Sequence, residues 1–271
     1  MSYWFAGQLY EHDSISIAAN NPALAYGASV FTTVRVYESS LEHPLTAWSK
    51  HCDRITKSLQ TFDWPCPDWK RITQGCQALL IQYPVLRLSI LADGRELITG
   101  RPLPTNLKQQ QTEGITAWVA RGPEYQRSLP GHKTGNYLPC WLAMQAAKAH
   151  QARDAILVTS TGEWLETSTG NLWGYVDGRW WTPPLSSGLL PGIIRARLLD
   201  SLGGQAINDI PWTFDVVKQF ECLTYSNCVV TLMPIHTVLL GNIKLNYSST
   251  HEGLTVLRQM FDSPSRCEHN C

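Results

Sequence analysis

The sequence contains little charge. Asp, Glu, Lys and Arg make up 16% of the 271 residues, against roughly 25% in an ordinary soluble domain. The 22 basic and 22 acidic residues cancel, and Lys and Arg form no basic run. We therefore expect no nucleic-acid partner, because binding to phosphates needs a basic face. The hydrophobic content of 44% is typical of a folded chain rather than a disordered one.

Long apolar runs are also missing. The longest apolar region, residues 78–92, is interrupted by Gln82, Pro84 and Arg87, whereas a membrane helix needs about 20 consecutive apolar residues. The first residues lack the charged start and apolar stretch of a secretory signal. We expect a cytoplasmic protein with no membrane partner.

The eight cysteines show neither disulfide nor metal-ligand spacing. They form no CxxC pair and are scattered along the chain, which favours reduced thiols. Cys267, His269 and Cys271 stand close together but have no fourth ligand nearby. No metal site is predicted.

Length and hydrophobic pattern indicate two lobes. A chain of 271 residues corresponds to about two domains or to one large one. In the first half, strands are predicted at 30–37, 85–91 and 116–120. Helices are predicted at 44–59, starting at Pro44, and at 69–82. Between the last two strands lies a polar, glutamine-rich stretch. Two Gly/Pro pairs then mark residues 121–131 as a linker between an N-terminal lobe, residues 1–120, and a C-terminal lobe, residues 132–271.

The second half also mixes helices and strands. Asp177-Gly178 between two strand-like runs predicts a hairpin. Helices are expected at 138–150, 191–202, 214–220 and 252–261, and strands at 155–160, 171–176, 179–182, 222–225 and 229–233. The predicted fold class is therefore mixed α/β (α+β) in two lobes.

A lysine and a tyrosine four residues apart lie between a turn and a predicted helix. Lys133 follows the Pro130-Gly131 turn, and Tyr137 directly precedes the helix. A lysine in this place is usually a solvated surface residue. The alternative is a partly desolvated, neutral amine that forms a Schiff base. Tyr137 is near enough in the chain to donate a phenolic hydrogen bond at the same site.

Three further features have both a functional and an ordinary interpretation. The helix start at Ile193 and Ile194 follows a Pro-Gly pair and carries no acidic residue. This favours an anion at the free N–H groups but fits an ordinary loop equally well. Arg54 adjoins the apolar stripe of its helix, so its guanidinium either reaches inward to a phosphate or lies along the surface. Glu166, in a Thr- and Ser-rich bend, is by itself an ordinary turn residue.

In order and spacing, these features resemble the fold-type IV pyridoxal-phosphate enzymes. That group includes branched-chain aminotransferases, D-amino-acid aminotransferases and 4-amino-4-deoxychorismate lyases. The resemblance implies that Lys133 is the Schiff-base lysine, that Tyr137 approaches the phenolic oxygen of pyridoxal 5'-phosphate, and that Glu166 faces its pyridine nitrogen. The phosphate ligands that it implies are Arg54, Ile193, Ile194, Asn227 and Cys228. It further implies a smaller N-terminal and a larger C-terminal lobe, and a homodimer with the active site between the lobes.

The stretch from Tyr26 to Val36 resembles the aminodeoxychorismate lyases within this group. Branched-chain aminotransferases usually have Glu-Gly after the phenylalanine, where this chain has Phe31-Thr-Thr. Thr32 in place of glutamate removes a negative charge, which suits a dicarboxylate substrate. The substrate-binding residues that the resemblance implies are Tyr26, Thr32 and Arg87, although an arginine at the edge of the core is an equal interpretation of Arg87.

Two departures from the lyase pattern are visible. Residues 91–96 lack the glycine-rich loop that is common in the lyases. Cys228 stands where Ser or Thr often binds the phosphate, and a thiol is a weaker donor.

The resemblance implies a lyase that releases pyruvate from 4-amino-4-deoxychorismate and gives 4-aminobenzoate for folate synthesis. Lys133 would remove the proton from the ring carbon that bears nitrogen. Two alternatives stay open. One is a branched-chain or D-amino-acid aminotransferase with the same cofactor. The other is a binding protein that retains only the fold.

Overall fold

The computed structural model describes residues 2–262. The N-terminal part forms a five-stranded antiparallel sheet in the order β2-β1-β5-β4-β3. Its elements are β1 (Tyr3–Phe5), β2 (Gln8–Tyr10), α1 (Pro22–Ala25), β3 (Ser29–Arg35), α2 (Trp48–Thr61), α3 (Trp69–Leu80), β4 (Val85–Leu91) and β5 (Glu96–Arg101).

The two longer helices cover one face of this sheet. Ile55 and Leu59 of α2 and Ile72 of α3 are buried in one cluster with Val34 and Leu88 of the strands. Helix α3 begins at Asp68, whose carboxylate accepts hydrogen bonds from the first free N–H groups of the helix. Because side chains alternate along a strand, the opposite face carries the intervening residues and is turned towards the rest of the chain.

The remaining described residues build an eight-stranded sheet and its helices. The elements are α4 (Leu107–Glu113), β6 (Ile115–Ala120), α5 (Leu138–Ala149), β7 (Asp154–Val158), β8 (Trp164–Thr167), β9 (Asn171–Val176), β10 (Arg179–Trp181), α6 (Ile193–Ser201), α7 (Phe214–Val217), β11 (Cys222–Asn227), β12 (Thr231–Leu240), β13 (Ile243–Asn246) and α8 (Glu252–Asp262). The strand order is β10-β9-β11-β12-β6-β7-β8, with β13 beside β12. Strand β8 also pairs with β9 at Glu166 and Asn171, so this register sets the two side chains next to each other.

Tryptophans fill much of the larger lobe. Trp164, Trp173 and Trp212 are among its largest fully buried side chains. Val85 of the smaller sheet belongs to the same hydrophobic cluster as Trp164 and Trp212. The two sheets are therefore joined by shared apolar packing.

The mixed α/β prediction is confirmed, and so are most predicted elements, including the Asp177-Gly178 hairpin. The predicted helix start at Pro44 is wrong. A turn from His43 to Thr46 and a left-handed Ala47 (φ 50°) precede the helix, which begins at Trp48. The glutamine-rich stretch is helical in α4, and strands β5, β8 and β13 were not predicted.

The sheets divide the chain earlier than the predicted linker. The smaller sheet ends at Arg101, and β6, predicted in the N-terminal lobe, pairs with β7 and β12 of the larger sheet. Parallel pairing to these strands draws β6 into the larger lobe. As domain bounds, residues 1–120, 121–131 and 132–271 stay a prediction.

Over residues 2–262, none of the helices is long and apolar enough to cross a membrane. The same residues contain no group of three or more His, Cys, Asp or Glu side chains that could hold a metal ion. The Cys267–His269–Cys271 cluster lies outside the described residues.

Candidate active site

A cavity of about 800 Å³ lies between the two sheets. The smaller sheet contributes Phe31 and Arg87 to its wall, and the larger lobe contributes Lys133, Glu166 and Cys228. Residues that are far apart in the sequence thus face one space.

Lys133 is held against the smaller sheet by its own backbone. Its carbonyl oxygen accepts a hydrogen bond from the backbone N–H of Phe31 at 2.8 Å, beside a bridge between Val30 and Thr134. The amine lies 4.8 Å from the ring centroids of both Phe31 and Tyr137. Burial, and then the nearby Arg54 and Arg127 guanidinium groups, lower the pKa of Lys133 to about 7. A neutral, nucleophilic amine is therefore abundant at neutral pH.

Tyr137 links this amine to the β8–β9 bend. The Lys133 Nζ donates to the phenolic oxygen at 3.3 Å, and the phenol donates to the carbonyl oxygen of Ser168 at 2.9 Å. Burial raises the pKa of Tyr137 well above its usual value. The phenol therefore stays protonated and holds the lysine in a fixed place.

Asp154 stabilises the same β8–β9 bend through hydrogen bonds. Its carboxylate accepts hydrogen bonds from the Ser168 hydroxyl and, at 2.6 Å, from the Thr169 hydroxyl. The residue is 3% exposed. Sequence reasoning missed Asp154, for which the one available signal was an acid at the start of a buried strand.

Glu166 is a buried carboxylate with several donors around it. Its Oε1 accepts from Arg127 Nη1 at 2.6 Å, and its Oε2 accepts from the Leu190 N–H at 3.2 Å and from Asn171 Nδ2 at 3.3 Å. Burial raises the pKa of Glu166, and the Arg127 guanidinium opposes this rise. The carboxylate faces the cavity with its position set by three groups.

Arg127 was not predicted, because it lies in the segment taken for a linker. Besides Glu166, it donates to the backbone carbonyl of His132 at 2.7 Å. Arg127 thus ties the carboxylate to the segment that carries Lys133. No local pattern marks this arginine, since its partner is 39 residues away.

The N-terminus of α6 opens into the cavity. Gly192 is its N-cap, no side chain caps the helix, and its first turn has no acidic residue. A Cβ at Gly192 would lie 2.0 Å from Asn171 Oδ1, so the close approach requires glycine. Ile193 and Ile194 line the cavity at this N-terminus, where the partial positive charge and the N–H groups of a helix start favour an anion.

Arg54 and Cys228 complete this end of the cavity. The Arg54 Nη2 donates to Thr32 at 2.6 Å, and its Nε is buried without a hydrogen-bond partner among residues 2–262. Burial raises the pKa of the Cys228 thiol, while the Arg54 and Lys133 charges and the N–H of Ile194 oppose the rise. An unsatisfied guanidinium nitrogen next to a helix N-terminus fits a phosphate group.

Asn227 shapes the turn beside this end of the cavity. Its Oδ1 accepts from the N–H groups of Val229 and Val230 at 2.8 and 2.9 Å, and its Nδ2 donates to the Thr169 carbonyl at 3.2 Å. The residue lines the cavity, but its side chain is engaged in holding the backbone.

The three predicted substrate residues are not brought together. Arg87 lines the cavity and lies 3.6 Å from the Phe31 ring centroid. Thr32 is fully buried on the helix-covered face and does not line the cavity, where Thr33 stands instead. Tyr26 is 81% exposed and is not part of the cavity wall. The structure therefore corrects the placement of Thr32, because strand alternation turns its neighbours and not Thr32 towards the cavity.

Arg101, like Arg87, is an arginine of the smaller sheet that lines the cavity, and sequence reasoning missed it. In the β4–β5 register Arg101 is opposite Val85, and Arg87 is opposite Thr99, so both arginines are on the same face of the sheet. Neither forms a salt bridge within residues 2–262. The cavity thus presents two uncompensated cations on this wall.

The chain is similar in sequence and in fold to known proteins. Residues 29–238 match the family described as amino-transferase class IV. An aminodeoxychorismate lyase from Vibrio harveyi is 21% identical over 264 residues, covering 90% of this chain and 94% of that protein. A branched-chain-amino-acid aminotransferase from Escherichia coli K12 is 24% identical over 221 residues, covering 72% of this chain and 71% of that protein. Among solved structures, the PLP-bound form of a hypothetical aminotransferase from Mycobacterium tuberculosis has a TM-score of 0.79 at 17% identity, with 97% and 98% of the two chains covered.

Proposed function

The chain belongs to the class IV amino-transferase family, whose members are pyridoxal-phosphate enzymes, and from this we propose that it is a 4-amino-4-deoxychorismate lyase. The Thr32-Thr33 sequence after Phe31 supports the lyase over the aminotransferases of the family. A further support is that the lyase relative is matched over nearly its full length, whereas the aminotransferase relative is matched over 71%.

The cavity residues fit the cofactor. We assign covalent attachment to Lys133, the phenolic oxygen to Tyr137 and the pyridine nitrogen to Glu166. The phosphate would be held by Arg54, Ile193 and Ile194, with Asn227 and Cys228 bordering it. When bound, pyridoxal phosphate supplies an electron sink for the carbon next to the substrate nitrogen. The unpartnered Arg54 Nε and the uncapped α6 N-terminus are the observations that support this fit.

The pair of cavity arginines is the observation that carries the substrate assignment. 4-Amino-4-deoxychorismate bears two carboxylates, one on the ring and one on the enolpyruvyl group. Within residues 2–262, Arg87 and Arg101 offer two guanidinium groups on one wall that form no salt bridge with an acidic side chain, and guanidinium binds carboxylate through paired hydrogen bonds.

The proposed reaction needs one mobile proton and no second substrate. Lys133, whose lowered pKa of about 7 leaves about half of its amine neutral at pH 7, takes the proton from the ring carbon that bears nitrogen. The ring carbon–oxygen bond then breaks, and its electron pair leaves with the enolpyruvyl group. This group takes up a proton and becomes pyruvate, while the ring becomes aromatic 4-aminobenzoate. Tyr137 keeps the Lys133 amine in place through these steps.

An aminotransferase is the second candidate. Leu107, Trp141 and Met144 line the cavity as well, and such an apolar wall suits a branched aliphatic side chain. The arginines would then bind a dicarboxylic amino-group acceptor.

A single assay distinguishes the lyase from the aminotransferase. Purified protein with pyridoxal phosphate is given aminodeoxychorismate without a keto acid, and 4-aminobenzoate and pyruvate are quantified. Equal amounts of both products, lost in Lys133→Ala, support the lyase. The absence of products, together with leucine-dependent glutamate formation from 2-oxoglutarate, would overturn it.

We also propose that the protein is a cytoplasmic homodimer that serves folate synthesis. Tyr26 is 81% exposed and lies outside the cavity wall of its own chain, so we assign its contact with substrate to the cavity of a second subunit. Light scattering after gel filtration tests the dimer.

A further inference from the structure

A buried hydrogen-bond chain lies behind Arg54. The Arg54 Nη2 is 2.6 Å from Thr32 Oγ1, and the same oxygen is 2.5 Å from His51 Nδ1. Thr32 is 0% exposed and His51 is 1% exposed, so water does not compete for these bonds. Of the three hydrogen-bonded residues, only Arg54 also lines the cavity.

The donor and acceptor inventory fixes the direction of each bond. A guanidinium has donors and no acceptor, so Thr32 Oγ1 accepts from Arg54. Among residues 2–262 the hydroxyl of Thr32 has one other partner, His51 Nδ1. The hydroxyl proton must therefore be donated to that nitrogen, because a buried donor is rarely left unpaired. This requires a neutral His51 with Nδ1 unprotonated.

The charges around His51 agree with a neutral ring. Burial, and then the adjacent Arg54 and Lys133 cations, lower the pKa of His51 well below its usual value. A protonated ring would add a third cation to this part of the molecule. The neutral imidazole instead acts as the terminal acceptor of the chain.

We propose that Thr32 and His51 are positioning residues that orient Arg54 for the phosphate of the cofactor. With Nη2 held from behind, the remaining guanidinium donors, among them the unpartnered Nε, stay aimed at the cavity end beside α6. This inference rests on the proposed assignment of Arg54 to the phosphate. It gives Thr32 a role behind the cofactor instead of the substrate contact that the sequence predicts.

The test compares ligands with and without a phosphate. Binding of pyridoxal phosphate, pyridoxal and inorganic phosphate to the apo-enzyme is measured by fluorescence quenching and calorimetry. Thr32→Val keeps the shape and removes the hydroxyl. We expect it to weaken binding of pyridoxal phosphate and phosphate by roughly 10- to 150-fold, the effect of losing one hydrogen bond to a charged group, and to leave pyridoxal binding unchanged.

Matched variants separate positioning from general damage. Thr32→Ser restores the hydroxyl and should bind like the wild type. Thr46→Val removes another buried hydroxyl of the same lobe, which forms hydrogen bonds with the backbone of Ser40 and Tyr37 away from the cavity. It should leave the ratio of the affinities for pyridoxal phosphate and pyridoxal unchanged. Nitrogen NMR of His51 should show Nδ1 as an unprotonated acceptor in the wild type and a changed Nδ1 signal in Thr32→Val.

Three outcomes would overturn the proposal: wild-type phosphate affinity in a folded Thr32→Val, an equal loss of pyridoxal and pyridoxal phosphate binding, or a protonated Nδ1. If Thr32→Val fails to fold, His51→Asn and His51→Leu replace it. His51→Asn retains a hydrogen-bond acceptor and should bind pyridoxal phosphate like the wild type. His51→Leu has no acceptor and should bind pyridoxal phosphate more weakly. Failure of the wild-type apo-enzyme to bind pyridoxal phosphate would refute the assigned cofactor site itself. This result differs from the three outcomes above, in which the wild type binds and only the role of Thr32 and His51 is refuted.

Discussion

The amine of Lys133 should react near neutral pH in the apo-enzyme. Burial and the Arg54 and Arg127 charges lower its pKa from 10.5 to about 7. At pH 7 about half of the amine is then neutral, against roughly 0.03% at a pKa of 10.5. Since the neutral form is the nucleophile, Lys133 should be modified on the order of a thousandfold faster than an unperturbed lysine of equal access.

The assay is the pH dependence of modification by an amine-reactive reagent. Apo-enzyme is treated briefly between pH 5.5 and 10.5, and the modified fraction of Lys133 is measured by mass spectrometry of digests. The exposed Lys148 in the same digests is the internal reference. We expect the Lys133 rate to level off just above pH 7. A rate that keeps rising in parallel with that of Lys148 up to pH 10 would refute the reasoning.

The same shift has a consequence for stability. A group whose pKa is lower in the folded state binds fewer protons there than in the unfolded chain between the two values, so stability rises with pH in that window. Lys133→Met should therefore raise the melting temperature of the apo-enzyme at pH 6, and the gain should shrink between pH 7 and 10.5. A gain that is independent of pH would contradict the assigned cause.

The remaining predictions concern the cavity wall and its supports. Arg101→Ala should raise KM for aminodeoxychorismate by roughly 10- to 100-fold, as expected for the loss of a charge-assisted hydrogen bond; an unchanged KM in steady-state kinetics would remove Arg101 from the site. Arg127→Met leaves a buried carboxylate without its ion-pair partner and should destabilise the protein by about 3–5 kcal/mol in urea unfolding, whereas a loss below about 1 kcal/mol would mean that water replaces the guanidinium. Gly192→Ala places a Cβ 2.0 Å from Asn171 Oδ1 and should weaken binding of pyridoxal phosphate at least tenfold; Gly131→Ala, whose Cβ would meet nothing within 4 Å, is the control, and equal effects of the two would contradict the prediction.

Local patterns were sufficient for many of the regular elements, although not for α4, β5, β8 and β13. The Asp177-Gly178 pair specifies a tight turn wherever it lies between strand-forming residues, and both residues have positive φ. The start expected at Pro44 failed because the fixed φ of proline suits a helix without requiring one. The left-handed Ala47 that ends the preceding turn leaves no local signal in the sequence.

The candidate site was predicted to the extent that its residues lie in short motifs. Lys133 and Tyr137 are four residues apart before a helix, and their side chains do meet. Arg127 and Arg101 were missed because their neighbours in space lie on distant segments. In the sequence, Arg127 is an arginine in a Pro- and Gly-containing stretch and nothing more.

The sequence by itself determined which residues are available for chemistry and in what order they occur, since spacing along the chain is a property of the covalent structure. The tertiary structure decided which of them face one space. Thr32 and Thr33 are chemically identical neighbours in β3, and both faces of that strand are packed, one against helices and one against the cavity. Hydrophobic pattern does not distinguish the faces in such a strand; the packing of α2 onto the sheet does. That packing places Thr32 behind Arg54 and Thr33 at the cavity wall, and the same enclosure lowers the pKa of the Lys133 amine to about 7.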